Sequence, residues 1–251
     1  MRLHRTSLYG FPDVVFHADE SAVKKHPQFA AAKAGDIAAA EALVADMANP
    51  DCAPALQALL GGRPAELVSV HALEMEGVNE IPAALAELLS EWLGLPSNES
   101  VVQSNTVGHT GASGYHRLAN QAQFFGVVLP DQHYFIVDDF VGQGGTLANL
   151  IGFIKSQGGH VVGATALTGK PYSAKLAPDE TQIQALRDKH GQEFEEWWQQ
   201  RFGFGFSELT RSEARYLENS PDAHTIRDRL VAAGLEGGSA SSSDPHAPIV
   251  P

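Results

Sequence analysis

The chain has 251 residues, 43% hydrophobic and 8% aromatic, which is enough for a packed core and excludes wholesale disorder. Thirty acidic residues against 17 Lys and Arg give a net charge of −13. That argues against a nucleic-acid partner, whose affinity rests on cations set against phosphates. The single cysteine, Cys52, excludes an intrachain disulfide and points to a cytoplasmic protein. No apolar segment follows Arg2 and Arg5, so no signal peptide is expected, and no run of about 18 apolar residues suggests a membrane span.

In chain order, Asp36 followed by "IAAAEALVADM" predicts a capped helix with Ile37, Ala40, Leu43 and Met47 near one face. "ALQALLGG" predicts a short helix stopped by glycine, and "ELVSVHAL" (66–73) a buried strand. Asn79 is positioned to cap a helix running to about Leu93, with Ile81, Leu85, Leu88, Leu89 and Trp92 at helical spacing. "SVVQS" (100–104) and "QFFGVV" predict short strands. Between them, "NTVGHTGASGYHRLAN" (105–120) is polar with glycine at every third position from Gly108 to Gly114, and reads as a long loop of the lid or binding kind.

"YFIVDDFVGQGGTL" (134–147) comes next. It reads as a buried strand over 134–137, two adjacent carboxylates, and a glycine loop entering a helix over 146–157. Leu147, Leu150, Ile151 and Ile154 fall on one face of that helix; Gly158-Gly159 ends it, and "HVVGATALTG" (160–169) is another strand. A strand–helix–strand unit of this kind implies a parallel sheet with helices on both faces. Beyond residue 177 the chain reads as helices. Thr210 with Glu213 makes a capping-box pattern, and Ser220-Pro221 opens a last helix to about Ala233. The final pair of helices reads as an appendage on the core rather than a helix-turn-helix, given the acidic charge balance, and "EGGSASSSDPHAPIVP" (236–251) as a disordered tail.

In an open parallel sheet, ligands bind beyond the carboxyl ends of the strands. Asp138 and Asp139 arrive there, and two adjacent carboxylates need hydrogen-bond donors or a cation. Sugar hydroxyls would supply the donors and Mg²⁺ would offset the charge. The amides of Gly142, Gln143, Gly144, Gly145 and Thr146 can form an anion nest at a helix N-terminus without any lysine. Carboxylates for hydroxyls beside a nest for phosphate describe a pocket for a ribose 5-phosphate. The plainer reading is a tight turn with an aspartate cap, for which one Asp would suffice. "GATALTGKP" fails as a Walker A loop, because Pro171 stands where Ser or Thr must hold the metal. "GQGGTL" does not satisfy the dinucleotide fingerprint, and His109 with His116 makes no zinc spacing.

"FIVDDFVGQGGTL" resembles the PRPP-binding signature of the type I phosphoribosyltransferases: an apolar strand, two acids, two variable residues, then a small-x-Gly-Gly-Thr loop. The similarity extends over about 100 residues, from Glu66 to Gly169. It implies an α/β fold with a Rossmann-like parallel sheet and extra N- and C-terminal helices. The division it implies is an N-terminal helical segment (1–65), a core (66–177), a C-terminal helical appendage (178–235) and a tail (236–251). By resemblance, Asp138 and Asp139 would bind the ribose hydroxyls and, indirectly, Mg²⁺, while residues 142–146 would hold the 5′-phosphate. The diphosphate loop would fall at His71 to Gly77, with His71, Ala72 and Gly77 against the ligand. "HALEMEG" departs from the family pattern in carrying Glu74 and Glu76 and no basic residue.

The flexible catalytic loop would match 105–120, with His109, Tyr115, His116 and Arg117 closing over the substrate. Arg117 or Lys170 would supply positive charge. The implied reaction transfers phosphoribosyl from PRPP to a nitrogenous acceptor, and a homodimer is implied. A PRPP- or nucleotide-binding regulator without catalysis, or an interaction protein on the same fold, are the other readings.

Overall fold

The computed structural model describes residues 3–70, 73–74, 77–105 and 113–240. The centre is a five-stranded, all-parallel sheet in the order β1–β9–β8–β2–β5. These strands are β1 (Val15–Phe16), β2 (Ala65–Ser69), β5 (Ser97–Asn98), β8 (His133–Val141) and β9 (His160–Gly169). The fold is therefore α/β, as expected.

Alternation along β8 sorts its side chains onto the two faces. Tyr134 and Ile136 pack with Leu147, Leu150, Ile151 and Ile154 of α7 (Gly145–Ser156), all essentially without exposure. Phe135 and Val137 face the opposite layer, formed by α3 (Ile37–Met47), α4 (Ala53–Leu60) and α5 (Ile81–Leu93), through Leu43, Leu56, Leu85 and Leu89. Each of these leucines contributes about 1.5–3 kcal/mol by leaving water, which is why the helical spacing in the sequence located the helices correctly. Asp36 caps α3 through Ala39 N, and Gly61 ends α4 in the left-handed conformation.

The N-terminal segment adds more than helices. Besides α1 (Glu20–Lys25), α2 (Phe29–Lys33), α3 and α4 it supplies β1, the edge strand beside β9. The strand expected over 66–73 is confined to Ala65–Ser69. The chain then forms a small antiparallel hairpin, β3 (Leu73–Glu74) with β4 (Gly77–Val78). β6 (Val101–Gln103) does not join the main sheet; it pairs antiparallel with β7 (Phe124–Gly126) as a separate ribbon. Ile37, placed on the buried face from its spacing, is 61% exposed, and Ala39 and Val44 are buried instead. Position 37 is the first residue of α3, which packs on α5 and α2.

Two further departures bear on the site. The strand expected to stop at Val137 continues through both aspartates to Val141, because β9 keeps pairing with it as far as Val141↔Gly169. The segment 105–120, expected as a loop, contains the helix α6 (Gly114–Ala119), capped by Ser113 Oγ on His116 N. Glycine spacing disguised this helix; Tyr115 and Leu118 decide it, because both bury in the C-terminal cluster.

That cluster is built by α8 (Glu180–His190), α9 (Gln192–Phe202), α10 (Arg211–Glu218) and α11 (Ala223–Ala240), around Phe194, Trp198, Phe206, Leu217, Ile226 and Leu230. The Thr210–Glu213 capping box forms as expected. α11 begins at Ala223, with Asp222 Oδ1 accepting from Thr225 N, and not at Ser220-Pro221. It runs to Ala240, past the expected start of the tail at 236; residues 241–251 lie outside the described residues. No helix among the described residues is long and apolar enough to cross a membrane.

Candidate functional site

The chain leaves β2 for the outer strand β5 and then enters β8 on the other side of β2. The sheet therefore has its switch point between β2 and β8, where neighbouring connections part and leave a crevice. The carboxyl end of β8 brings Asp138, Asp139 and the loop 142–146 to that place.

The two aspartates have different surroundings. Successive strand residues point to opposite faces, and Asp139 Oδ2 meets Lys33 Nζ of α2 at 3.1 Å, with both side chains mostly shielded. Asp138 is 4% exposed, and its Oδ1 accepts the Asp139 amide at 2.8 Å. Burial, joined by the neighbouring Asp139 carboxylate, holds the Asp138 carboxyl well above its ordinary value of 3.8, against the weaker pull of the Asp139 amide and Lys33. A hydroxyl group brought to Asp138 would supply a further donor and favour its charged form.

The loop is held in one orientation by its carbonyls. Ser173 Oγ donates to Gly142 O, Thr210 Oγ1 donates to Gln143 O at 2.5 Å, and Arg5 Nη2 reaches Gly145 O at 3.4 Å. Gly144 has φ of +79°, and a Cβ there would lie 2.6 Å from Leu176 Cδ2, so only glycine fits without displacement. None of the amides of residues 143–147 donates to another described residue. Four of them belong to Gly144 and the first residues of α7, whose N-terminal amides carry partial positive charge. The result is a run of donors at a helix head, suited to an anion. Thr146 lies in the same turn.

The remaining predicted residues divide. α6 brings Arg117 to the loop, where a Cβ on Gly142 would stand 2.6 Å from Arg117 Nη1. His116 sits beside it on α6, its Nδ1 buried without a partner among the described residues. Tyr115 is turned away from the site; its hydroxyl donates to Ser220 Oγ at 2.7 Å within the C-terminal cluster. Lys170 follows β9 and pairs with Glu20 Oε2 of α1 at 2.5 Å, on the surface. His71, Ala72 and His109 lie outside the described residues. Gly77 does not belong to an open loop. It sits in the β3–β4 hairpin against the C-terminal end of α2, where a Cβ would strike Ala34 O.

Sequence reasoning missed Lys33 altogether, and the parts that Arg5 and Thr210 play at the loop. Thr210 was visible as a helix cap, but its second bond, to Gln143, joins positions 67 residues apart and has no local signal.

Asp138 and Asp139 offer hard oxygen donors of the kind Mg²⁺ takes, yet the described residues contain no cluster of three or more acidic, His or Cys side chains able to cage a metal. A Mg²⁺ here would draw most of its ligands from the substrate and water, its common mode with phosphorylated compounds.

No family model matches the chain. It is 38% identical over 235 residues to a protein described as Protein TraN from Escherichia coli, covering 94% of this chain and 52% of that one. It is 40% identical over 144 residues to an uncharacterized protein of Haemophilus influenzae, covering 57% of this chain and 32% of that one. Among solved structures, Leishmania donovani UMP synthase aligns with 16% identity and a TM-score of 0.31, over 50% of this chain and 23% of that one. An adenine phosphoribosyltransferase aligns with 13% identity and a TM-score of 0.35, over 62% of this chain and 81% of that one. Likeness at that level does not discriminate among open α/β sheets. The chain spans about half the length of the first curated relative and about a third of the second.

Proposed function

We propose that this chain binds PRPP, or a related ribose 5-phosphate compound, and transfers its phosphoribosyl group to a nitrogenous acceptor. What carries the reading is the run of amides at residues 143–147, next to two acidic residues at the carboxyl end of β8 beside the switch point. The amides would take the 5′-phosphate. Asp138 and Asp139 would accept the ribose hydroxyls, with Lys33 tempering the charge of Asp139. Arg117, reaching the loop from α6, would add positive charge near the phosphate.

In the reaction the C1–oxygen bond to diphosphate breaks, and the electron pair leaves with the diphosphate. A nitrogen of the acceptor forms the new C1–N bond and gives its proton to solvent or to the leaving group. The anomeric carbon passes through an oxocarbenium-like state, as in glycoside chemistry. The side chains named above then serve to hold the partners in line and to exclude water. Mg²⁺, when bound with PRPP, would offset the charge of the departing diphosphate. Action as a cytoplasmic homodimer belongs to the same proposal.

Calorimetric titration with PRPP and Mg²⁺ tests the binding. The wild-type chain should bind, and Gly144→Val should lose at least about a hundredfold in affinity, since a side chain at this φ displaces the loop. Unchanged affinity in that variant sinks the assignment. Measuring diphosphate released with a panel of bases then tests the transfer. Binding without release would favour the regulatory reading, which the Lys33–Asp139 pair and the acidic "HALEMEG" segment support.

A further inference from the structure

We propose that the anion loop is set from outside itself and coupled to helix α10: Ser173, Thr210 and the Arg5–Glu213 pair are positioning residues that fix which way the loop's peptide groups face. The inference rests on the functional reading above as far as the ligand is concerned.

A peptide group can present its N–H to a ligand only if its C=O points elsewhere. Three carbonyls in this turn, of Gly142, Gln143 and Gly145, are each taken by a donor outside the loop. Ser173 Oγ also lies 2.9 Å from Ser212 Oγ at the start of α10, and Thr210 is the N-cap of that helix. The Arg5 side chain is fully buried and makes a two-pronged pair with Glu213, at 2.8 Å to each carboxylate oxygen. It also donates to Asn149 Oδ1 in α7, to Gln121 Oε1 and to Glu208 O, and stacks on Phe204 at 4.7 Å.

Glu213 closes the group. Its Oε2 accepts the Thr210 amide at 2.8 Å, and its Oε1 lies 2.6 Å from where a Cβ on Gly145 would stand. Ser173, Thr210, Ser212 and Glu213 are buried and hydrogen-bonded, as is the Arg5 side chain, so the network has few alternative arrangements. A hydrogen bond accepted by a carbonyl also strengthens donation by the amide of the same peptide group. The donors Ser173, Thr210 and Arg5 therefore orient and polarise the amides on the ligand side, and α10 cannot shift without turning the loop. By linkage, anything that binds the loop must stabilise the docking of α10, and a partner that moves α10 must change the loop's affinity.

The test uses the full chain and the variants Ser173→Ala, Thr210→Val and Thr210→Ser. The carbonyl ¹³C shifts of Gly142 and Gln143 in the ligand-free protein read the positioning directly, because the shift follows the hydrogen bond that the carbonyl accepts. Ser173→Ala should move the Gly142 carbonyl upfield and Thr210→Val the Gln143 carbonyl, with Thr210→Ser close to wild type. Ser173→Ala leaves the α10 cap intact, so its effect separates loop orientation from helix capping.

Calorimetry with PRPP and Mg²⁺, and with inorganic phosphate alone, should show both disabling variants weakened by about tenfold and Thr210→Ser restored. PRPP should also slow exchange in α10 of the wild type. Carbonyl shifts unchanged in both disabling variants overturn the proposal, as does affinity unchanged in both while wild type binds. A wild-type chain that binds neither probe overturns the functional reading and the ligand linkage, and the carbonyl shifts still decide the positioning.

Discussion

At the scale of single residues, the sequence pointed to Asp138 and Asp139 because an apolar strand rarely ends in two like charges without reason. Lys33 was invisible, since it is 106 residues from its partner and sits at the end of an ordinary Ala-rich helix. Lys33→Met leaves two carboxylates without their nearby cation and should cost about 1–3 kcal/mol of stability, discounted from the buried-pair range for partial exposure. Urea unfolding measures it, and a double-mutant cycle with Asp139→Asn should show the two changes to be non-additive.

His17 makes a separate pH prediction. It is buried at the edge of the sheet, with Asn49 N donating to its Nδ1 and Thr165 Oγ1 at 3.2 Å from Nε2. Burial lowers its pKa below the ordinary 6.5. As pH falls below 6.5 the unfolded chain takes up this proton first, so stability declines from there down to the folded pKa and then levels for this group. Thermal melting between pH 7 and 5 should show a shallower decline in His17→Gln than in the wild type.

At the scale of elements, periodicity located α3, α5 and α7 because each buries an apolar face, α5 and α7 against the sheet and α3 against α5. It misread 105–120, where the helix α6 is stabilised by the C-terminal cluster and not by its own sequence pattern. It also ended β8 too early: whether a polar residue continues a strand depends on the neighbour's backbone, here β9. Gly152 of α7 separates propensity from packing. In an exposed helix, Gly→Ala would gain about 1 kcal/mol. Here the backbone carbonyl of His4 occupies the place of the Cβ. Gly152→Ala should instead lose about 1–3 kcal/mol by overpacking, seen as a melting temperature lower by several degrees.

At the scale of the whole molecule, the sheet carries the acids, and the loop is held by Ser173 after β9, by Thr210 at the head of α10 and by Arg5 from the other end of the chain. Glu213→Gln leaves the buried Arg5 charge without its counter-ion and should cost about 3–5 kcal/mol, by urea unfolding. Loss below about 1 kcal/mol would show that the pair is not buried as described. The sequence by itself determined the α/β class and the parallel strand–helix–strand unit, and it singled out the stretch 134–147. Those rest on local signals: residue period, caps and glycine conformations. Only the tertiary structure decided that the acids lie within a strand and that Lys33 meets one of them. It alone decided that α6 delivers Arg117, and that the loop's carbonyls are held by Ser173, Thr210 and Arg5. Each of those joins residues far apart in the chain, and side-chain identity does not encode such contacts until folding brings the partners into one buried, low-dielectric place where unpaired polar groups are costly.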